Sequence, residues 1–292
     1  MSVLSQAQLH DEVEAFKWVE AILWPSGPVC PFCGVIGKHY DLGKTRIGLR
    51  KCCAKECRKQ FTVRVGTIFE STHIPLHKWL QAIHLLCSSK KGFSSHQLHR
   101  VLEVTYKTAW FLSHRVRHAM QGGELGSMGG FGSSGIVEAD ETFVGRKKGV
   151  PVRRAYHHKN AVMSLVERGG RIRNFHIERA DAKTVMGVIR ENVAPEARIM
   201  TDEAKYYNQI GGEYVNDDTH TNTLENFYSV FKRGMKGVYQ HCSEKHLHRY
   251  VDEFGFRHNK RSGLGVEDEA RAEKALKGVK GKRLTYRPTD GA

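Results

Sequence analysis

Cys30-Pro31-Phe32-Cys33 is followed a short way on by Cys52-Cys53-Ala54-Lys55-Glu56-Cys57, and five of the chain's seven cysteines fall in this stretch. A segment so small and cysteine-dense has too little apolar surface to fold on a core of its own, so another agent must hold it. The cysteine count is odd, and the N-terminus (MSVLSQAQLHDEVEAF) has acids where a secretion signal needs a basic start and an apolar run. Both features argue against a disulfide framework. Two cysteine pairs at this separation suit a tetrahedral, four-thiolate Zn²⁺ site of the ribbon type. Cys30, Cys33 and Cys57 supply three ligands. The fourth is Cys52 or Cys53, with Cys52 favoured and Cys53 left as a spare thiol. A redox C-x-x-C would need βαβ surroundings that this stretch lacks. Cys87 and Cys242 stand alone and read as packing residues.

Charge narrows the partner. Lys plus Arg number 46 against 31 Asp plus Glu, a formal charge of +15. That excess points to a polyanion, nucleic acid before any other. No run of eighteen apolar residues occurs, which excludes a membrane-spanning helix. A cytoplasmic, nucleoid-associated protein is expected.

The hydrophobic periodicity predicts an α+β multidomain chain. Residues 1–27 form an N-terminal helix, with Leu9, Val13, Phe16, Val19 and Leu23 at helical spacing and Pro25-Ser26-Gly27-Pro28 as its stop. Residues 28–70 are the ribbon, with small strands near 47–52 and 60–65. Residues 71–121 hold three helices, opening at Pro75, Ser94 and Tyr106, with a tight turn at Glu103-Val104-Thr105 before the last. This is a helix-turn-helix pattern, whose last helix enters the major groove. Lys107, His114, Arg115 and Arg117 are expected on its exposed face, with Lys107, Arg115 and Arg117 on DNA. The glycine- and serine-rich segment 122–135 reads as a flexible linker. Residues 136–262 alternate strands and helices and predict a mixed sheet, with a hairpin at Gly169-Gly170 and Asp181 as a helix N-cap. The basic tail 263–292 is expected to be loosely ordered.

In so basic a chain, acids at strand ends call for explanation. Asp140 lies where the apolar strand Ile136-Val137-Glu138-Ala139 turns polar, and Asp202 ends Ala197-Arg198-Ile199-Met200-Thr201. Glu225 opens a helix that carries Lys232 and Arg233 two turns on, on nearly the same face. Three carboxylates can hold two Mg²⁺ or Mn²⁺ ions, which activate an attacking oxygen and stabilise a leaving oxygen at a phosphodiester. Lys232, Arg233 and Lys236 are placed to meet phosphate. Glu138, Glu141 and Glu203 are alternative acids. His241, His246 and His248 match no common zinc spacing and read as surface or DNA-facing residues.

In this combination the chain resembles bacterial insertion-sequence transposases with an N-terminal zinc ribbon and a DDE-type, ribonuclease H-like catalytic domain. The matching stretches are CPFCG, CRKQFTVRVGTIFESTHIPLHKWLQAI, VEADETFVG, TDEAKYY, HTNTLENFYSVFKRGMKGVYQH and HLHRYVDEFGFRHNKR, in order across residues 30–261. The resemblance implies Asp140, Asp202 and Glu225 as the catalytic acids, with Asn222 or Asn226 contributing to the third role. It also implies terminal-repeat and target double-stranded DNA as partners, and a dimer or higher oligomer on DNA. The stretch between Asp202 and Glu225 is short for the family. If a strand is missing there, Glu225 is displaced and the copy is inactive. The rival readings are a non-catalytic zinc-ribbon regulator, which leaves the strand-end acids unexplained, and a ribonuclease H-like nuclease, which needs no sequence-specific N-terminal domain.

Overall fold

The computed structural model describes residues 3–122, 126–152, 156–201 and 222–284. Their fold divides into two compact units. One comprises Met1–Ser89, Phe93–Gln121 and Val266–Ala292; the other comprises Lys90–Gly92 with Gly122–Gly265. The second unit thus interrupts the sequence of the first twice, briefly at Lys90–Gly92 and then over Gly122–Gly265.

In the first unit, α1 (Glu12–Leu23) is capped by Asp11, whose carboxylate accepts from the Glu14 amide, and buries Ala15, Phe16, Val19 and Leu23. The ribbon is an antiparallel meander of β1 (His39–Asp41), β2 (Arg50–Cys52) and β3 (Gln60–Phe61). It is tied to α1 by Arg50, which donates to both Glu20 carboxylate oxygens at 2.5 and 2.8 Å. Next come α2 (Leu76–Ser88), α3 (Ser95–Leu102) and α4 (Tyr106–Met120). Proline cannot cap α2 with a side chain, and Glu12 of α1 accepts the Leu76 and His77 amides in its place. Ser94 and Gln97 form a capping box on α3, Glu103 ends it in the left-handed region (φ 52°), and Thr105 caps α4. The turn read from Glu103-Val104-Thr105 is where the sequence placed it.

Two expectations fail in this unit. The segment after Gly263 forms α8 (Asp268–Lys277), which packs on α1, α2 and α4 and buries Ala272, Ala275 and Leu276, with Val279 buried just past its end. Arg271 anchors it by donating to the Cys87 carbonyl at 3.1 Å. The second half of α4 lies mostly buried in this unit. His114, Arg115 and Arg117, expected on an exposed face, are only 1, 3 and 1% exposed. Arg115 donates to the carbonyls of Ile68, Glu70 and Leu284 at 2.7–2.9 Å, and Arg117 to the Ser113 hydroxyl at 3.0 Å. These two guanidiniums are spent on the chain's own backbone and side chains. Lys107, in the first turn of α4, is exposed as expected.

If α8 is a structural part of this unit, Leu276→Ala costs about 2–5 kcal/mol of its stability, the range for truncating a fully buried leucine. All four tryptophans (Trp18, Trp24, Trp79 and Trp110) lie in this unit, so urea unfolding followed by tryptophan fluorescence reads it selectively. An unchanged midpoint would mean that α8 contributes nothing to it.

In the second unit, four strands lie in the order β6 (Ile172–Ile177), β5 (Asn160–Glu167), β4 (Ile136–Val144), β7 (Arg198–Thr201). β4 and β7 are parallel and the other pairs antiparallel, so the sheet is mixed. Strand alternation sends Val137, Ala139, Ala161, Met163 and Leu165 to one face, against Val185 and Ile189 of α5 (Ala182–Asn192). Val144, Val162 and Val166 go to the other face. They pack against Leu224, Phe227 and Phe231 of α6 (Asn222–Gly234) and against Leu247, Val251 and Phe254 of α7 (Glu244–Asn259).

The glycine-rich segment is not a free linker over its described part. Met128 is fully buried, pairs with Val193, and its amide donates to the Asn192 carbonyl at 2.7 Å. A Cβ on Gly129 would stand 2.5 Å from that of Ala197, so this close approach requires glycine. Residues 123–125 lie outside the described part.

Candidate functional site

The sulfurs of Cys30, Cys33, Cys52 and Cys57 all lie within 4.8 Å of one another, and among the described residues no other group of His, Cys, Asp or Glu has metal-holding geometry. Cys30–Cys57 and Cys33–Cys52 are 3.7 and 3.6 Å apart. A tetrahedron with Zn–S bonds of about 2.3 Å has edges of about 3.8 Å, whereas a disulfide is about 2.05 Å long. The donor set and its spacing therefore fit zinc. The backbone amides of Phe32, Cys33, Val35, Ala54 and Lys59 point at these sulfurs, as thiolates require. Gly34 (φ +75°) turns the first knuckle, and the Lys59 ammonium covers the Phe32 ring at 4.8 Å. The choice between Cys52 and Cys53 follows from strand alternation. Cys52 ends β2 facing the sulfur cluster and is fully buried, while Cys53 is outside the cluster.

The second site is built on β4. Glu138, Asp140, Thr142 and Val144 share the strand face that meets α6, and Glu141 points to the opposite face, with α5. Parity therefore turns the Glu141 side chain away from the face that meets α6, although its charge still adds to that of Asp140 at Tyr228. Asp140 is half-buried, and one of its carboxylate oxygens accepts the Glu141 amide at 2.7 Å. The Tyr228 hydroxyl of α6 donates to the Asp140 backbone carbonyl at 2.5 Å. Burial first, and then the Asp140 charge, holds the Tyr228 phenol well above its ordinary pKa, so it remains a donor. Glu225 is exposed, one turn before Tyr228 on α6. Asn222 and Asn226 are exposed on the same helix.

Glu138 is only 1% exposed and accepts from Thr223 Oγ1 (3.0 Å), the Leu224 amide (3.3 Å) and Arg168 Nε (3.2 Å). The sequence offered it as an alternative acid, but here its carboxylate caps α6. Its position two residues before Asp140 was the available signal; the approach of α6 was not. β7 pairs with β4 in parallel register, Thr201 opposite Ala139. Asp202 and Glu203 lie outside the described residues, as does the rest of the stretch to 221.

Lys232, Arg233 and Lys236 are exposed near the far end of α6. Arg233 is held by the Ser229 hydroxyl and carbonyl at 2.6 and 3.0 Å, and Lys232 reaches over the Tyr228 ring at 6.0 Å. His241 and His248 are exposed, and neither they nor His246 belong to a group with metal-holding geometry. No helix among the described residues is long and apolar enough to cross a membrane.

A four-thiolate ribbon with a helix-turn-helix, followed by a mixed sheet with the β4–β5–β6 meander and a parallel fourth strand, defines a zinc-ribbon protein with a ribonuclease H-like domain. Residues 133–259 match the ISXO2-like transposase domain, and residues 10–60 match the transposase zinc-ribbon domain. The two matches lie in this order along the chain, and each is to a domain described as a transposase domain. The ribbon match begins ahead of the first cysteine and includes α1, the helix that Arg50 ties to β2. A relative of similar length, named as an uncharacterized protein in transposable element ISH50 of Halobacterium salinarum, is 26% identical over 278 residues. The match covers 84% of this chain and 90% of the relative.

Proposed function

We propose that the protein is an insertion-sequence DNA transposase that binds the terminal repeats of its element and carries out divalent-metal-dependent strand cleavage and strand transfer. The observation that carries this reading is the contact of Tyr228 with Asp140, which holds the helix of Glu225 against the strand of the first acid. Asp140, Asp202 and Glu225 would hold Mg²⁺ or Mn²⁺; an all-carboxylate donor set suits such hard cations. The bound ions would supply Lewis-acid stabilisation of the attacking and leaving oxygens. Water attacks phosphorus at the element end, the 3′-oxygen leaves and takes a proton, and the 5′-phosphate stays with the flank. The freed 3′-hydroxyl then attacks a target phosphodiester, releasing a target 3′-hydroxyl. Lys232, Arg233 and Lys236, two turns or more along the chain from Glu225, hold phosphates farther along the DNA backbone.

Thr201, the last described residue of β7, pairs in parallel register with Ala139, the residue before Asp140. Glu225 sits on a helix docked to β4, which favours an active copy despite the short connection before it.

The burial of Arg115 and Arg117 moves the proposed DNA surface of the first unit to the start of α4. Tyr106 and Lys107 are exposed there, with His96 of α3 stacked on Tyr106 at 4.4 Å. The N-terminal end of a recognition helix is the part that reaches base edges. Lys107→Ala is expected to weaken binding and lower the salt slope by about one phosphate contact. Arg115→Ala is expected instead to lower thermal stability by about 1–3 kcal/mol, the cost of carbonyls left unpaired. Binding titrations over a salt series, with melting curves on the same variants, check both. A lowered slope in Arg115→Ala at unchanged stability would reverse the assignment.

The functional reading is tested by incubating the protein and Mg²⁺ with a plasmid carrying the gene's flanks, and with one carrying scrambled flanks. Flank-specific cutting is expected. Flank binding without cutting would identify the regulator, and cutting without flank preference the nuclease.

A further inference from the structure

We propose that Glu138 and Tyr228 are positioning residues, two pins that lock α6 onto β4 and so set Glu225 beside Asp140. This rests on the functional reading above and assigns a role to groups that the acid triad leaves unused.

Glu138 is a carboxylate buried to 1% exposure. A carboxylate is buried at a tolerable cost only when its lone pairs are taken up. Here Thr223 Oγ1, the Leu224 amide and Arg168 Nε take them up. Leu224 is in the first turn of α6, where amides have no partner within the helix and where negative charge is favoured. Glu138 thus caps α6 from the neighbouring strand. With its oxygens so engaged, it is poorly placed to bind a metal.

The second pin lies two residues along the strand, where Tyr228 donates to the Asp140 backbone carbonyl. Two strand residues span about 6.8 Å, and the four helix residues from Leu224 to Tyr228 about 6 Å. The spacings match, so both pins close together. Leu224, Phe227 and Phe231 seat α6 on the sheet through non-directional apolar packing, and the two directional contacts fix its register and its rotation there. Glu225 lies between them. A slip of one residue would shift Glu225 by about 1.5 Å and turn it by about 100°. Displacements near 1 Å already cost about a hundredfold in rate.

The test uses the full chain with Tyr228→Phe and, separately, Glu138→Gln. Tyr228→Phe removes one hydroxyl and keeps the ring, so it folds most safely. Three quantities are read: the rate and KM of flank cutting, Mn²⁺ binding by electron paramagnetic resonance without DNA, and hydrogen exchange of the α6 amides. In Tyr228→Phe, cutting is expected to slow by about ten- to a hundredfold at unchanged KM for DNA, and Mn²⁺ binding to weaken by a similar factor. Exchange should quicken in the first turns of α6 and hold elsewhere. In Glu138→Gln, Mn²⁺ binding should weaken without vanishing. Wild-type cutting rate and Mn²⁺ affinity in both folded variants would overturn the proposal. So would a Glu138→Gln protein that loses Mn²⁺ as completely as Asp140→Ala, because Glu138 would then be a ligand. If the wild type itself neither cuts nor binds Mn²⁺, the acid-triad reading falls and this proposal falls with it. That result is distinct from an active wild type with indifferent variants.

Discussion

Cys52→Ser is expected to cost the ribbon its zinc and its fold, while Cys53→Ser leaves the metal content at one ion per chain. The two cysteines are neighbours, but only Cys52 lies in the sulfur cluster. β1, β2 and β3 are three, three and two residues long, too short to stand without another agent. The buried apolar core beneath them consists of Cys30, Cys52 and Phe61. Structural zinc in domains of this size contributes about 10–16 kcal/mol, far beyond what such a core offers. Metal analysis of the purified variants, with amide spectra of residues 28–61, reads the effect directly. Equal zinc loss in both variants would show that the second pair of ligands is shared or misassigned.

Asp140→Ala is expected to abolish strand cutting, by roughly 10³-fold or more, while leaving flank binding within about twofold. A thousandfold loss corresponds to about 4 kcal/mol of transition-state stabilisation, within reach of one ligand to a metal that activates water. Glu141→Ala is the matching control. Glu141 is adjacent in sequence but faces the α5 side of the sheet, so its loss should leave cutting within a fewfold of wild type. Rates measured at saturating DNA separate the chemical step from binding. A Glu141→Ala protein as inactive as Asp140→Ala would mean that the site opens on the other face of the sheet.

How far the sequence could be read depended on whether its signals were local. The bounds of α2 and α4 were legible because Pro75 and Thr105 mark their starts and the apolar positions recur at helical spacing. The β5–β6 hairpin was legible because Gly169 and Gly170 separate two apolar runs, and Asp181 caps α5 as read. The ribbon ligands were legible because thiolate spacing is itself the signal.

What was missed depended on distant partners. Arg115 and Arg117 look like a basic helix face, but the carbonyls of Ile68, Glu70 and Leu284 take up the first and the Ser113 hydroxyl the second, and α4 also carries the packing of α8. That helix offers Ala272, Ala275 and Leu276 among charges, a weak pattern for a core element. The segment 122–135 reads as a linker by composition, yet Met128 is buried beside β4 and Gly129 is glycine because Ala197 crowds it. Glu138 could be placed on the Asp140 side by counting alone; its use as a helix cap required knowing that Thr223 and Leu224 arrive there.

The central claim is that Asp140, Asp202 and Glu225 act as one metal-binding site for DNA cleavage. Mapping the strand ends left on a plasmid with the gene's native flanks, by the wild type and by Asp202→Ala in Mg²⁺ or Mn²⁺, tests it most directly. The expected result is discrete 3′-hydroxyl ends at the element boundaries with the wild type, absent with Asp202→Ala although that variant still binds the flanks. Identical ends from both proteins, or flanks bound and left uncut by the wild type, would contradict it.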